Sequence, residues 1–117
     1  MRAKPMLDHY RFTHSCGKLQ REMAFARRLA QTATTDIEFE VLEKKEGLLC
    51  LRKTDEPLSL LGGVKTPIFI PYLRLNGEKK VTILITSNGT TLGPLSLNVY
   101  LGNQKKSILI DRHHQDH

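Results

Sequence analysis

Lys18, Arg21, Arg27 and Arg28 lie close together in one apolar-patterned segment, and two lysine pairs, Lys79-Lys80 and Lys105-Lys106, sit beside turn sequences. Cations grouped in this way can neutralise successive phosphates along a nucleic-acid backbone and release its counterions, which gives affinity with little sequence readout. Tyr10, Phe12, Tyr72 and Tyr100 supply rings on which bases can stack. No RNP signature or other single-strand motif accompanies them. The competing interpretation is ordinary: an exposed helix face and solvated turn lysines.

Other reactive residue types are present in less specific patterns. His9, His14 and Cys16 cluster near the start, and His113, His114 and His117 cluster at the end. Zinc takes imidazole and thiolate ligands, but no pair here has the C-x₂-C or H-E-x-x-H form that makes a metal motif specific. Cys16 near His14 resembles a thiol–imidazole pair, and a helix start can lower a thiol pKa. Glu38 and Glu40 share one strand face, as do Asp36 and Glu38, and paired carboxylates can do acid–base work. The simpler account is the wet face of a half-exposed strand. There is no G-x-S-x-G, Walker loop or dinucleotide fingerprint, and Gly62-Gly63 is too short to cradle phosphates. The expectation is a non-enzymatic protein with no catalytic residues, no metal site and no cofactor.

The elements that must position these residues follow from periodicity. Residues 1–13 are expected as a leading arm, because Pro5 opposes early helix and Tyr10 and Phe12 alternate as in a short strand. Residues 14–33 are expected as an amphipathic helix with Ser15 as N-cap. Leu19, Met23, Phe25, Ala26, Leu29 and Ala30 form its packed side; Gln20, Arg21, Ala24, Arg27 and Arg28 lie opposite, and Glu22 falls within the apolar arc. Thr32, Thr34 and Thr35 end it, β-branched threonine being a poor helix former.

Residues 36–111 are expected as antiparallel sheet. Ile37, Phe39 and Val41 alternate with Asp36, Glu38 and Glu40, and residues 48–53 return as the partner strand after a polar loop at 43–47. Residues 67–75 and 79–86 flank Asn76-Gly77, the strongest short hairpin signal in the chain. Pro71 cannot donate to a ladder, which makes 67–75 an edge strand or a bulged one. Ser87-Asn88-Gly89-Thr90 is a second turn. Asn88-Gly89-Thr90 matches a glycosylation acceptor but is taken as a turn, no secretion signal being visible. Leu95, Leu97, Val99 and Leu101 then alternate, Gly102-Asn103 turns, and a last strand begins at Ser107. Residues 54–66 form the longest irregular piece, with an apolar run at 58–61. Residues 112–117 lack an apolar anchor and are expected to fray.

A chain of 117 residues is expected to form a single domain, and it can bury roughly two-thirds of its unfolded surface. No stretch of about 18 apolar residues occurs, so no membrane span is expected. Two cysteines make no disulfide framework, which favours an intracellular, reducing compartment, cytoplasmic or nuclear. Net charge is +6, unevenly spread: residues 1–31 hold seven Lys/Arg against two Asp/Glu, residues 32–59 four against seven, and residues 60–117 seven against three.

The fold expected is α+β: an N-terminal amphipathic helix packed on an antiparallel β-meander of about six strands, closed as a sandwich or open barrel. The function expected is nucleic-acid binding through Lys18, Arg21, Arg27, Arg28, Lys79, Lys80, Lys105 and Lys106. The alternative is a structural or adaptor protein that forms homo-oligomers through its sheet edges. Small size and basic charge suit an accessory protein of viral or phage type.

Overall fold

The N-terminal helix extends much further back than local signals indicate. The computed structural model describes residues 3–54 and 67–110, with side chains described from Leu7 onward. In it α1 runs Ala3–Ala33, so the expected leading arm is helix. Pro5 falls in the first turn, where backbone N–H groups have no intrahelical partner and a missing one costs nothing. Phe12, Cys16, Leu19, Met23, Ala26 and Ala30 follow one another at alternating spacings of four and three. This single stripe is buried throughout except at Met23, which is partly buried. Ser15 is a buried mid-helix residue rather than a cap. Tyr10 and Phe12, which a strand would place on one face, are 200° apart around the helix, so that Tyr10 is exposed and Phe12 buried. Phe25, expected on the packed side, is 37% exposed and lies against the Arg52 guanidinium.

The threonines do end the helix. Thr34 adopts φ 52°. Its N–H donates to Gln31 O at 3.3 Å and that of Thr35 to Ala30 O at 3.0 Å, the bond pair of a Schellman stop.

Among the described residues eight strands follow: β1 (Ile37–Lys44), β2 (Gly47–Lys53), β3 (Ile68–Pro71), β4 (Arg74–Leu75), β5 (Lys80–Ile85), β6 (Thr91–Leu92), β7 (Ser96–Leu101) and β8 (Gln104–Leu109). They form two antiparallel sheets, a large one in the order β3-β2-β1-β5-β6 and a small one in the order β4-β7-β8. The fold is therefore α+β, a helix packed on antiparallel sheet, with the strands divided between two sheets rather than following one meander. The β1–β2 hairpin turns on Lys45-Glu46 alone, since Lys44 already pairs with Gly47. A Cβ on Gly47 would stand 2.3 Å from Ile70 O, so this position must be glycine for β3 to approach.

Asn76-Gly77 turns the chain but closes no hairpin. Leu75 pairs with Val99 of β7, whereas β5 pairs with β1 in the register Ile37↔Ile85, Phe39↔Ile83 and Val41↔Val81. All six of those side chains are buried. Pairing β5 with residues 67–75 would forgo that continuous apolar face. The turn instead carries the chain from the small sheet to the large one, with Gly77 at φ 90° and Asn76 N donating to Asn98 O at 3.0 Å. The run 67–75 is itself divided at Tyr72, whose φ is 76°. Its first part is an edge strand, as Pro71 requires.

One core joins the inner faces of both sheets and the helix stripe. At one end the sheets are tied by Glu43. Its carboxylate accepts from Arg74 Nη2 at 2.8 Å and from Leu75 N at 2.9 Å, while Arg74 Nη1 donates to the carbonyls of Lys44 and Lys45, each at 2.8 Å. The apolar run 58–61, Gly62-Gly63 and the tail 112–117 lie outside the described residues.

Candidate nucleic-acid interface

The helix is flanked by strands on two sides and open on a third. Toward the small sheet, Arg27 Nη2 donates to Ile110 O at 2.6 Å and His9 Nδ1 lies 2.8 Å from Gln104 Oε1. Toward the large sheet, Lys18 Nζ donates to Phe69 O at 3.1 Å, Glu22 meets Arg52, and the Arg11 guanidinium lies 4.9 Å from the centre of the Tyr72 ring. Between these flanks runs an exposed crest that carries Tyr10, His14, Arg21 and Arg28. At 100° per residue Tyr10, Arg21 and Arg28 fall within about 20° of one another, Arg21 and Arg28 about 10 Å apart along the axis.

The eight cations expected to form one surface therefore separate. Arg21 and Arg28 are exposed on the crest and form no ion pair with the described residues. Lys105 and Lys106 are exposed beside it on β8, likewise without an ion pair among the described residues. With His9, Phe12, Thr13, Cys16 and Gln104 they line an open cleft of about 360 Å³. Lys18 and Arg27 anchor the helix to the sheets. Lys79 and Lys80 are elsewhere: Lys80 Nζ lies 3.1 Å from Glu40 Oε2, on the face of the large sheet opposite the helix, and Lys79 reaches toward Glu43 at 3.9 Å. Proximity to a turn gives no indication of which sheet a strand joins. β5 belongs to the large sheet and β8 to the small one, which separates the two lysine pairs.

Of the four aromatics suited to stacking, Phe12 is buried and Tyr100 half-buried, while Tyr72 is 42% and Tyr10 66% exposed. The Tyr10 and His14 rings stack, with centroids 6.0 Å apart and planes within 12°. Sequence reasoning missed this pair because it placed Tyr10 on an arm. The four–three spacing that continues from Leu19 back through Cys16 to Phe12 is the signal that brings Tyr10 onto the helix.

The other chemistry is held in structural roles. Glu40, expected on a wet face, is buried under Lys53 and Lys80, each 3.1 Å from it. Hydrogen bonds first from Lys53 and then from Lys80 hold its carboxyl below the usual carboxylate range. Cys16 and Cys50 are both buried free thiols. Burial pushes Cys16 up, partly offset by the nearby charge of Lys106, and pushes Cys50 up to about 12, with the Glu22 charge adding to the rise. Both stay protonated at neutral pH, the unreactive form. Asn88-Gly89-Thr90 forms the β5–β6 turn, Asn88 Oδ1 accepting from Thr86 Oγ1 and from Thr90 Oγ1. Among the described residues no three His, Cys, Asp or Glu side chains converge as a metal site, and no helix is long and apolar enough to cross a membrane. His113, His114 and His117 lie outside the described residues.

Comparisons of the chain with protein-family models, with curated proteins and with solved structures gave no match.

Proposed function

We propose that this protein binds nucleic acid without enzymatic chemistry, along the open crest of α1 and the adjoining lysines of β8. The observation that carries this reading is the set Arg21, Arg28 and Lys106, exposed cations on the crest and on the helix-facing side of β8, with Lys105 next to them at the cleft; none is paired with a carboxylate among the described residues. An exposed cation without a partner retains its full attraction for phosphate, whereas Lys80 is already engaged by Glu40. Lys18 borders the crest and adds to the field, while Arg11 is offset by Asp8, 3.8 Å away. An intracellular location belongs to this reading, in keeping with two free thiols.

The test is fluorescence anisotropy with labelled oligonucleotides at about 50 and 200 mM salt. With about five phosphate contacts, affinity for a single strand should fall on the order of a hundredfold across that range. Arg21→Glu combined with Arg28→Glu should weaken binding and flatten the slope; Lys79→Ala should do neither. Wild-type affinity in the double charge reversal rules the reading out.

A second reading is self-association, favoured by the outer face of the large sheet. Phe69 and Leu92 are exposed there, and Leu42, Leu49, Leu51 and Leu84 are half-buried on the same face by register. That face offers on the order of 500 Å² per copy, the lower end of what a specific dimer uses. The edges are poorer candidates: β3 has four residues including Pro71, β6 has two, and α1 runs beside β8. Sedimentation equilibrium should then show a dimer that Leu84→Glu dissociates; a monomer at every concentration ends this reading.

A further inference from the structure

We infer that the ligand of the crest is single-stranded nucleic acid, with one base stacked on the Tyr10–His14 pair and neighbouring phosphates on Lys105, Lys106 and Arg21. This rests on the nucleic-acid reading and adds to it the strandedness of the ligand and a base-contacting site.

The first ground is steric. A helix that reads duplex bases enters a major groove about 12 Å wide, and a helix with its side chains is itself about 10–12 Å across. Here Gln104 of β8 and Ile110 just after it hold α1 on one side through His9 and Arg27, and β3 holds it on the other through Lys18. With strands bonded to both of its flanks the element is wider than the groove, and only the crest meets a duplex. A duplex can touch this surface with its phosphates alone, while an unpaired strand can also bring its bases down to the crest.

The second ground is the aromatic pair. Tyr10 is 66% exposed, yet its ring is already ordered against His14 at a 12° interplanar angle. This leaves the outer ring face planar and open, the arrangement on which single-strand binders stack bases. Tyr10 and His14 each follow a cleft residue, His9 and Thr13, by one position, so the stacking platform borders the cleft that holds Lys105 and Lys106. Arg21 and Arg28 continue along the same line as Tyr10. From Tyr10 to Arg28 the crest is about 27 Å long, enough for a footprint of about four nucleotides.

The chain has three tyrosines and no tryptophan, so emission comes from Tyr10, Tyr72 and Tyr100, and the quenching that Tyr10→Leu abolishes is the share of the site. Wild-type protein and the Tyr10→Leu and Tyr10→Phe variants are titrated with an oligothymidylate and with a duplex of equal length, following emission and anisotropy together. The single strand should quench wild-type emission and bind more tightly than the duplex. Tyr10→Leu should lose between about 5-fold and 150-fold in single-strand affinity with duplex affinity unchanged, and Tyr10→Phe should stay within about twofold of wild type. Circular dichroism on each variant confirms that the helix remains intact. Equal single-strand affinity in wild type and Tyr10→Leu, with Arg21→Glu still weakening binding, overturns the stacking site and leaves the nucleic-acid reading standing. No binding of either oligonucleotide overturns both.

Discussion

Arg52 Nη1 lies 3.1 Å from Glu22 Oε1, on the face of the large sheet that the helix covers. Arg52 stands opposite Phe39 in the β1–β2 register and so points inward, and the Phe25 ring lies 5.0 Å from its guanidinium carbon. The arginine side chain is 5% exposed and the glutamate 20%. A carboxylate inside an apolar helix arc is thereby matched to a cation inside an apolar sheet face.

Removing one member of such a pair should be costly. Glu22→Ala leaves the inward guanidinium without its helix carboxylate and should cost about 2 kcal/mol, less than a fully buried pair because Glu22 keeps some contact with water. Glu22→Gln keeps a hydrogen-bond acceptor and should cost less. Urea denaturation measures both; a loss below about 0.5 kcal/mol for Glu22→Ala, the range of neutral surface changes, means the pair holds nothing together.

Glu40 makes stability depend on acid pH. Lys53 and then Lys80 lower its folded pKa below the ordinary 4.5. Its contribution is therefore complete above that value and is lost as pH falls through the lower folded value. The stability gap between wild type and Glu40→Gln should be widest at neutral pH and shrink as pH falls below 4.5. A gap that stays constant from neutral to acid pH contradicts the lysine clamp.

Thr34 ends the helix in a backbone conformation that suits glycine. A β-branched residue at φ 52° is strained, and the Schellman stop ordinarily has glycine there. Thr34→Gly should stabilise the protein by about 0.5–1 kcal/mol, the relief of strain being partly offset by the freer unfolded chain. Thermal melts should show a Tm higher by on the order of 2–4 °C; a lower Tm argues against strain at this residue.

Much of the local structure was legible in residue order. The alternation of Ile37, Phe39 and Val41, the return through Leu48 and Cys50, the turns at Asn88-Gly89 and Gly102-Asn103, and the threonine stop all depend on neighbours within a few positions, which periodicity and turn chemistry report. The exposed cations Arg21, Arg28, Lys105 and Lys106 were likewise visible as charges beside apolar stripes.

Only tertiary structure decided the rest. Asn76-Gly77 encodes a reversal of direction but not a partner, and β5 joins β1 because three buried pairs outweigh adjacency in the chain. The helix reaches back to Ala3 because Phe12 and Cys16 find core to enter, and that longer stripe overrides the strand-like spacing of Tyr10 and Phe12. Lys80 is engaged and Arg21 open because Glu40 was carried to one and, among the described residues, no carboxylate to the other. A charge is written in the sequence, but its counter-charge comes from a distant strand, and only the packing of two sheets against one helix determines which cations keep their attraction for a ligand.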